Sequence, residues 1–262
     1  MYNFDLIKPG TVAEAVAALQ DDEAMALGGG QTLLPTLKQR LAAPETLVSL
    51  AGIADLVGVR HRGNGIDIGG ATTHATVAAE VAAQFPALAD LAGRIGDPAV
   101  RNRGTIGGSL ANNDPAACYP AAALGAGATM TTNLRSISAD DFFVDMFETA
   151  LDEGEIITSV SFPVPKAASY QKFVQPASRF ALVGVFVAQT DDGVRVAVTG
   201  ASEGGVFRWA AAEEALNANF SADACAEMAP DADGILSDLH GSADYRAHLV
   251  GVMTRRAVAS MR

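Results

Sequence analysis

Two glycine-paired runs constrain this chain most: Leu27-Gly28-Gly29-Gly30-Gln31-Thr32-Leu33-Leu34-Pro35 and Arg103-Gly104-Thr105-Ile106-Gly107-Gly108-Ser109. Without a Cβ, the backbone can take positive φ and bring its amides within hydrogen-bond distance of a bulky anion. Successive amides in such a turn form a concave nest of partial positive charge, and a helix start behind them adds its dipole. Residues 28–33 meet both conditions. The second run continues into Leu110-Ala111-Asn112-Asn113-Asp114-Pro115, whose short polar side chains suit the hydroxyl-bearing arms of a dinucleotide. Singly, either loop also reads as a tight or Asx-rich turn. Together they favour one phosphate-bearing dinucleotide gripped from both sides. Neither is a standard nucleotide motif: no Lys-Thr or Lys-Ser follows the glycines, and no Gly-x-Gly-x-x-Gly opens a Rossmann helix.

The rest of the composition excludes other classes. Apolar residues make up 49% and charged ones 18% of 262 residues, the balance of a packed globular protein. A formal net charge of −12 repels a phosphate backbone, so nucleic acid is not an expected partner. The start Met1-Tyr2-Asn3-Phe4-Asp5 has no basic segment followed by an apolar one, and no stretch is apolar for long enough to span a bilayer, so a cytoplasmic location is expected. Cys118 and Cys225 are too few to hold a disulfide framework, a zinc or an iron–sulfur centre. His61, His74, His240 and His248 show no ligand spacing, so neither a metal site nor a catalytic residue is expected.

Periodicity gives an alternating first half. Thr11 caps a helix with Glu14 at its third position, and Val12, Ala15, Val16 and Leu19 recur at helical spacing. Residues 24–27 read as a strand, and Thr32 caps a helix running through Leu33, Leu34, Leu37 and Leu41. Strands at 46–50 and 65–71 follow, then a helix capped at Thr76, a helix over 88–95, a turn-rich stretch over 96–104, a helix over 116–126 and a strand over 129–132. Pro163-Val164-Pro165 marks the main boundary. Beyond it, 170–174, 182–190 and 194–200 read as a three-stranded antiparallel sheet turned at Asp191-Asp192-Gly193, with helices over 208–216 and 244–260.

With the motifs assembled, the chain resembles the FAD-binding medium subunits of molybdenum hydroxylases, the group of aerobic carbon monoxide dehydrogenase and the xanthine dehydrogenase flavin domain. The resemblance rests on Phe4-Asp5-Leu6-Ile7-Lys8-Pro9, both glycine loops with Val100-Arg101-Asn102 before the second, Asn113-Asp114-Pro115-Ala116-Ala117, Tyr170-Gln171-Lys172-Phe173 and Pro176-Ala177-Ser178-Arg179-Phe180-Ala181. It implies an α+β chain. Residues 1–165 would form a FAD-binding domain of the para-cresol methylhydroxylase type, in two α/β subdomains of about 1–57 and 58–165. Residues 166–262 would form the carbon monoxide dehydrogenase flavoprotein type of C-terminal domain. By resemblance, Gly28, Gly29, Gly30, Gln31, Thr32 and Leu33, with Thr105, Ile106, Gly107, Gly108 and Ser109, would surround the FAD diphosphate. Asn112 and Asp114 would bond its hydroxyl-bearing chain, and Ile157, Lys172 and Phe180 would lie near the isoalloxazine ring. Lys172 there would stabilise negative charge on the reduced ring.

Three residues depart from the family pattern. Gly28 stands where Ala is usual, Cys118 where many relatives carry Asp, and Phe180 lacks a tyrosine hydroxyl. The implied function is an electron-transfer subunit whose FAD takes electrons from partner iron–sulfur clusters and hands them to NAD, a quinone or oxygen. The implied partners are a small subunit with 2Fe–2S clusters and a large subunit with the molybdenum cofactor, in a dimer of heterotrimers. Two alternatives stay open: a self-sufficient flavin oxidase or dehydrogenase, and a scaffold subunit that has lost its cofactor.

Overall fold

The computed structural model describes residues 1–261. The chain opens with β1 (Asp5–Ile7), α1 (Val12–Ala18), β2 (Ala24–Leu27), α2 (Leu33–Lys38) and β3 (Thr46–Ser49). The three strands pair in parallel in the order β1-β3-β2. α1 starts as expected: Thr11 Oγ1 accepts from the Glu14 amide, and a Glu14 carboxylate oxygen accepts from the Gly10 amide. Ala15, Leu19, Val48, Ile53, Leu56, Ala71 and Ile156 close a small core under this sheet.

The middle of the chain contains β4 (Val59–Arg62), β5 (Gly65–Gly69), α3 (His74–Glu80), α4 (Pro86–Gly93), α5 (Pro98–Arg101), α6 (Ile106–Asn112) and α7 (Tyr119–Ala126). It goes on through β6 (Thr129–Thr132), β7 (Ser136–Ser138), α8 (Ala139–Phe142), β8 (Phe143–Asp145), β9 (Glu148–Thr149) and β10 (Ile157–Pro163). A five-stranded antiparallel sheet in the order β4-β5-β10-β6-β7 backs the helices. α7 is buried along its whole length, which its run of alanines permits because small side chains let neighbouring elements approach closely. The third unit is a four-stranded antiparallel sheet of β11 (Ala167–Val174), β12 (Ala181–Thr190), β13 (Gly193–Ser202) and β14 (Gly205–Arg208), covered by α9 (Ala210–Ala218) and α10 (Ala243–Ser260).

Several expectations are corrected. The third α-helix is capped by Thr73, whose hydroxyl accepts from the Thr76 amide, so the cap lies one turn earlier than Thr76. Thr32 makes no side-chain cap, and α2 stops before Leu41, which is 74% exposed. The helix expected over 88–95 begins at Pro86, and that over 116–126 begins only at Tyr119. The C-terminal sheet has four strands: 205–208 pairs with β13, which moves the following helix to Ala210. The connection at 164–166 does separate two sheets, yet Tyr170, Phe186, Ala188 and Ala197 pack into the same core as Phe85, Tyr119 and Phe162. No helix among the described residues is long and apolar enough to cross a membrane.

Candidate functional site

The two glycine loops meet. A Cβ on Gly28 would lie 3.0 Å from Thr105 Oγ1, and one on Gly29 would lie 2.5 Å from Gly104 Cα. Beside this junction opens a cavity of about 580 Å³, in the range of small-molecule and cofactor sites. Of the residues expected around the cofactor, Gly28, Gly29, Gly30, Gln31, Thr32, Leu33, Thr105, Gly107, Gly108, Ser109, Asn112, Asp114, Ile157, Lys172 and Phe180 all line it. Ile106 does not: its side chain is fully buried in the central core. It follows Thr105, the cap of α6, and its amide donates to Thr72 O at 3.1 Å, so neither end of the residue is free for a ligand.

The loops use their amides differently. Among the described residues, no protein acceptor meets the amides of Gly28, Gly29, Gly30, Gln31, Thr32 or Leu33. In the second loop Gly107 N donates to Gly70 O at 2.9 Å, Gly108 N to Thr105 Oγ1 at 3.2 Å and Ser109 N to Thr105 O at 3.0 Å. The Gly107 bond, with Ile106 N to Thr72 O, His74 N to Gly104 O and an antiparallel bridge between Thr73 and Thr105, ties the loop along the segment 70–74. A Cβ on Gly107 would come within 2.6 Å of Gly70 O, so the bare Cα there permits contact between two main chains. The residues that carry the open amides of the first loop line the cavity, a donor set that fits a diphosphate.

Polar side chains also reach the lining. Lys172 is 7% exposed; Nζ donates to Arg94 O at 3.0 Å and lies 3.5 Å from Cys118 Sγ. Among the described residues no carboxylate lies within salt-bridge distance of it. The side chain beside the ammonium is the thiol of Cys118. Tyr170 and Tyr119 flank this corner, buried and, among the described residues, without hydroxyl partners, and burial pushes both phenols well up from their ordinary range. Asp114 makes an Asx turn, its Oδ1 accepting from Ala116 N at 2.8 Å, and its neighbour Asn113 donates to the carbonyls of Asp145 and Glu148. At the mouth, Arg179 holds φ at 63° and Phe180 is 53% exposed.

Glu155 and His74 also line the cavity, and neither was among the expected site residues. Burial alone would raise the Glu155 carboxyl, but hydrogen bonds from Arg135, Thr132 and the Asp152 amide outweigh it and bring the pKa down to about 2. His74 is lowered to about 4 by burial first and by the Arg101 charge second. Its partners come from distant segments, so the absence of ligand spacing in the sequence says nothing about it. Among the described residues no cluster of His, Cys, Asp and Glu could hold a metal ion.

Residues 2–165 match the family model described as the FAD binding domain in molybdopterin dehydrogenase. Over 98% of its length the chain is 34% identical to the carbon monoxide dehydrogenase medium chain of Afipia carboxidovorans, covering 96% of that protein. It is 35% identical to the nicotine 6-hydroxylase medium subunit of Paenarthrobacter nicotinovorans, with 95% of this chain and 94% of the relative covered. Among solved structures, it superposes on a chain of carbon monoxide dehydrogenase from Hydrogenophaga pseudoflava with a TM-score of 0.88 at 33% identity, covering 99% of this chain and 97% of the other.

Proposed function

This chain belongs to the family of FAD-binding domains of molybdopterin dehydrogenases, and from that premise we propose that it is the FAD-carrying electron-transfer subunit of a molybdenum hydroxylase complex. Its relatives are named as medium chains and medium subunits of dehydrogenases and a hydroxylase. The observation that carries the reading for this chain is the run of six amides, from Gly28 to Leu33, that meet no acceptor among the described residues and line one cavity with Gly107, Gly108 and Ser109. Bound FAD would supply the relay of electrons from partner iron–sulfur clusters to an external acceptor.

The protein's own groups would then divide the work. The amides of residues 28–33 hold the diphosphate, with Thr105, Gly107, Gly108 and Ser109 forming the opposing wall, while Asn112 and Asp114 bond the hydroxyl-bearing chain. Ile157 and Phe180 pack against the ring system. Lys172 places a buried positive charge beside it and favours whichever bound form carries more negative charge. The partners would be a small subunit with 2Fe–2S clusters and a large subunit with the molybdenum cofactor, in a cytoplasmic dimer of heterotrimers. Within this chain we assign residues 1–165, as subdomains of about 1–57 and 58–165 in a para-cresol methylhydroxylase-type arrangement, to cofactor binding, and 166–262 to the C-terminal domain. The full-length chain should show flavin absorbance bands on purification or after incubation with FAD. A folded chain that neither carries nor takes up FAD overturns the reading.

A further inference from the structure

His74 opens α3 and is 4% exposed, with its ring on the cavity wall. Its amide donates to Gly104 O at 2.9 Å, which pins it directly behind the second loop. One face of the imidazole meets Tyr119, ring centroids 5.3 Å apart. Nδ1 is sealed from solvent and meets no partner among the described residues. Nε2 lies against Gly104, where a Cβ would come within 2.5 Å of it, and Gly104 in turn abuts Gly29 of the first loop. The imidazole therefore stands at the junction of the two loops, and the lack of a side chain at Gly104 is what lets it approach.

A buried N–H without an acceptor is rarer than an under-used lone pair, so the proton belongs on Nε2, the nitrogen open to the cavity. Arg101, whose charge acts on the ring, donates to the carbonyls of Ile95 and Gly96, both at 3.0 Å. The ring remains uncharged at neutral pH because it is buried beside that guanidinium. We propose that His74 binds the cofactor, as a neutral Nε2–H donor to a diphosphate oxygen of the dinucleotide. This rests on the flavin reading above. Such a donor adds direction to the nest of residues 28–33, which supplies partial charge from the opposite side.

Calorimetric titration of the full-length chain with FAD, ADP and riboflavin tests this, using wild type, His74→Leu, His74→Gln and His74→Asn. The Gln amide can place an N–H near the position of Nε2, whereas the Asn amide reaches only the position of Nδ1. His74→Leu should bind FAD and ADP roughly tenfold to a hundredfold more weakly and riboflavin unchanged. His74→Gln should recover most of that loss and His74→Asn should not. The phosphorus resonances of bound FAD should move in the Leu variant and return in the Gln variant. Wild-type affinity of His74→Leu for ADP, or an equal loss for riboflavin and ADP, overturns the proposal. Should His74→Leu fail to fold, equal ADP affinity of the Gln and Asn variants does the same. A wild-type chain that binds no FAD removes the flavin reading, and this proposal with it.

Discussion

The two glycine loops look alike in the sequence and do opposite things in the fold. Among the described residues the first leaves the amides of residues 28–33 without protein acceptors, while the second commits those of Ile106, Gly107, Gly108 and Ser109 to Thr72, Gly70 and Thr105. Glycine serves two separate needs, exposure of backbone donors and close approach of one main chain to another. In the proposed function one loop is a ligand cradle, and the other is a clasp held against the segment 70–74. A bulky residue should therefore damage the two loops in different ways.

The largest effect belongs to the clasp. Gly107→Val places its Cβ about where Gly70 O already sits, so it should cost at least about 3 kcal/mol of folding stability. Urea denaturation in the absence of FAD measures this. A variant that is fully stable without ligand but cannot bind FAD would show that Gly107 reserves space for the cofactor, and the contrast between the loops would fail.

Acid should weaken the same side of the site next. The folded-state pKa of His74 is lowered from 6.5 to about 4, so between those values the unfolded chain binds a proton that the folded chain excludes. Stability is fully present above pH 6.5 and falls as pH drops toward 4, by up to about 3 kcal/mol from this group. Glu155, depressed from 4.5 to about 2, extends the loss below pH 4.5. Denaturation curves of the ligand-free chain across this range should show the first decline, and His74→Gln should flatten it. An unchanged slope in that variant would assign the decline elsewhere.

How far the sequence carried depended on whether a residue's partners were local. Thr11 with Glu14 and the Gly193 turn were legible because a cap and a hairpin declare themselves within a few residues, while the distant loops could be paired only because both carry glycines suited to one ligand. The cap at Thr73 was misplaced because Thr72, Thr73 and Thr76 all offer a hydroxyl, and the bridge to Thr105 sets the helix start. α6 was missed because Gly107 and Gly108 are poor helix formers, and tertiary contacts override that. Ile106 belongs to the core through helix geometry that its loop-like neighbours conceal. His74 carried no local signal, since Gly104, Tyr119 and Arg101 reach it only in the folded chain.

A smaller effect separates the hydroxyl of the clasp from its glycines. Thr105 Oγ1 accepts from Gly108 N and caps α6, so Thr105→Ala should cost about 1 kcal/mol, the usual worth of such a cap. Because Gly107 stays bonded to Gly70, FAD affinity should fall less than in Gly107→Val. Titration of both variants against FAD checks the order, and a reversed order would make the Thr105 hydroxyl a direct ligand of the cofactor.

The mildest change lies in the first loop, at Gly28. An alanine Cβ at position 28 would lie 3.0 Å from Thr105 Oγ1, tight enough to need a shift of a few tenths of an ångström. Gly28 does not hold a positive φ, so alanine meets no backbone strain there, and its restriction of the unfolded chain offsets part of the crowding. Gly28→Ala should therefore change stability by less than about 1 kcal/mol and leave the amide free to bind. Its FAD affinity should match wild type in a fluorescence titration, because the ligand meets the N–H and the methyl turns toward Thr105. A large loss of affinity with stability unchanged would mean that the methyl intrudes on the ligand, and that the cradle, like the clasp, depends on bare Cα atoms more than on open amides.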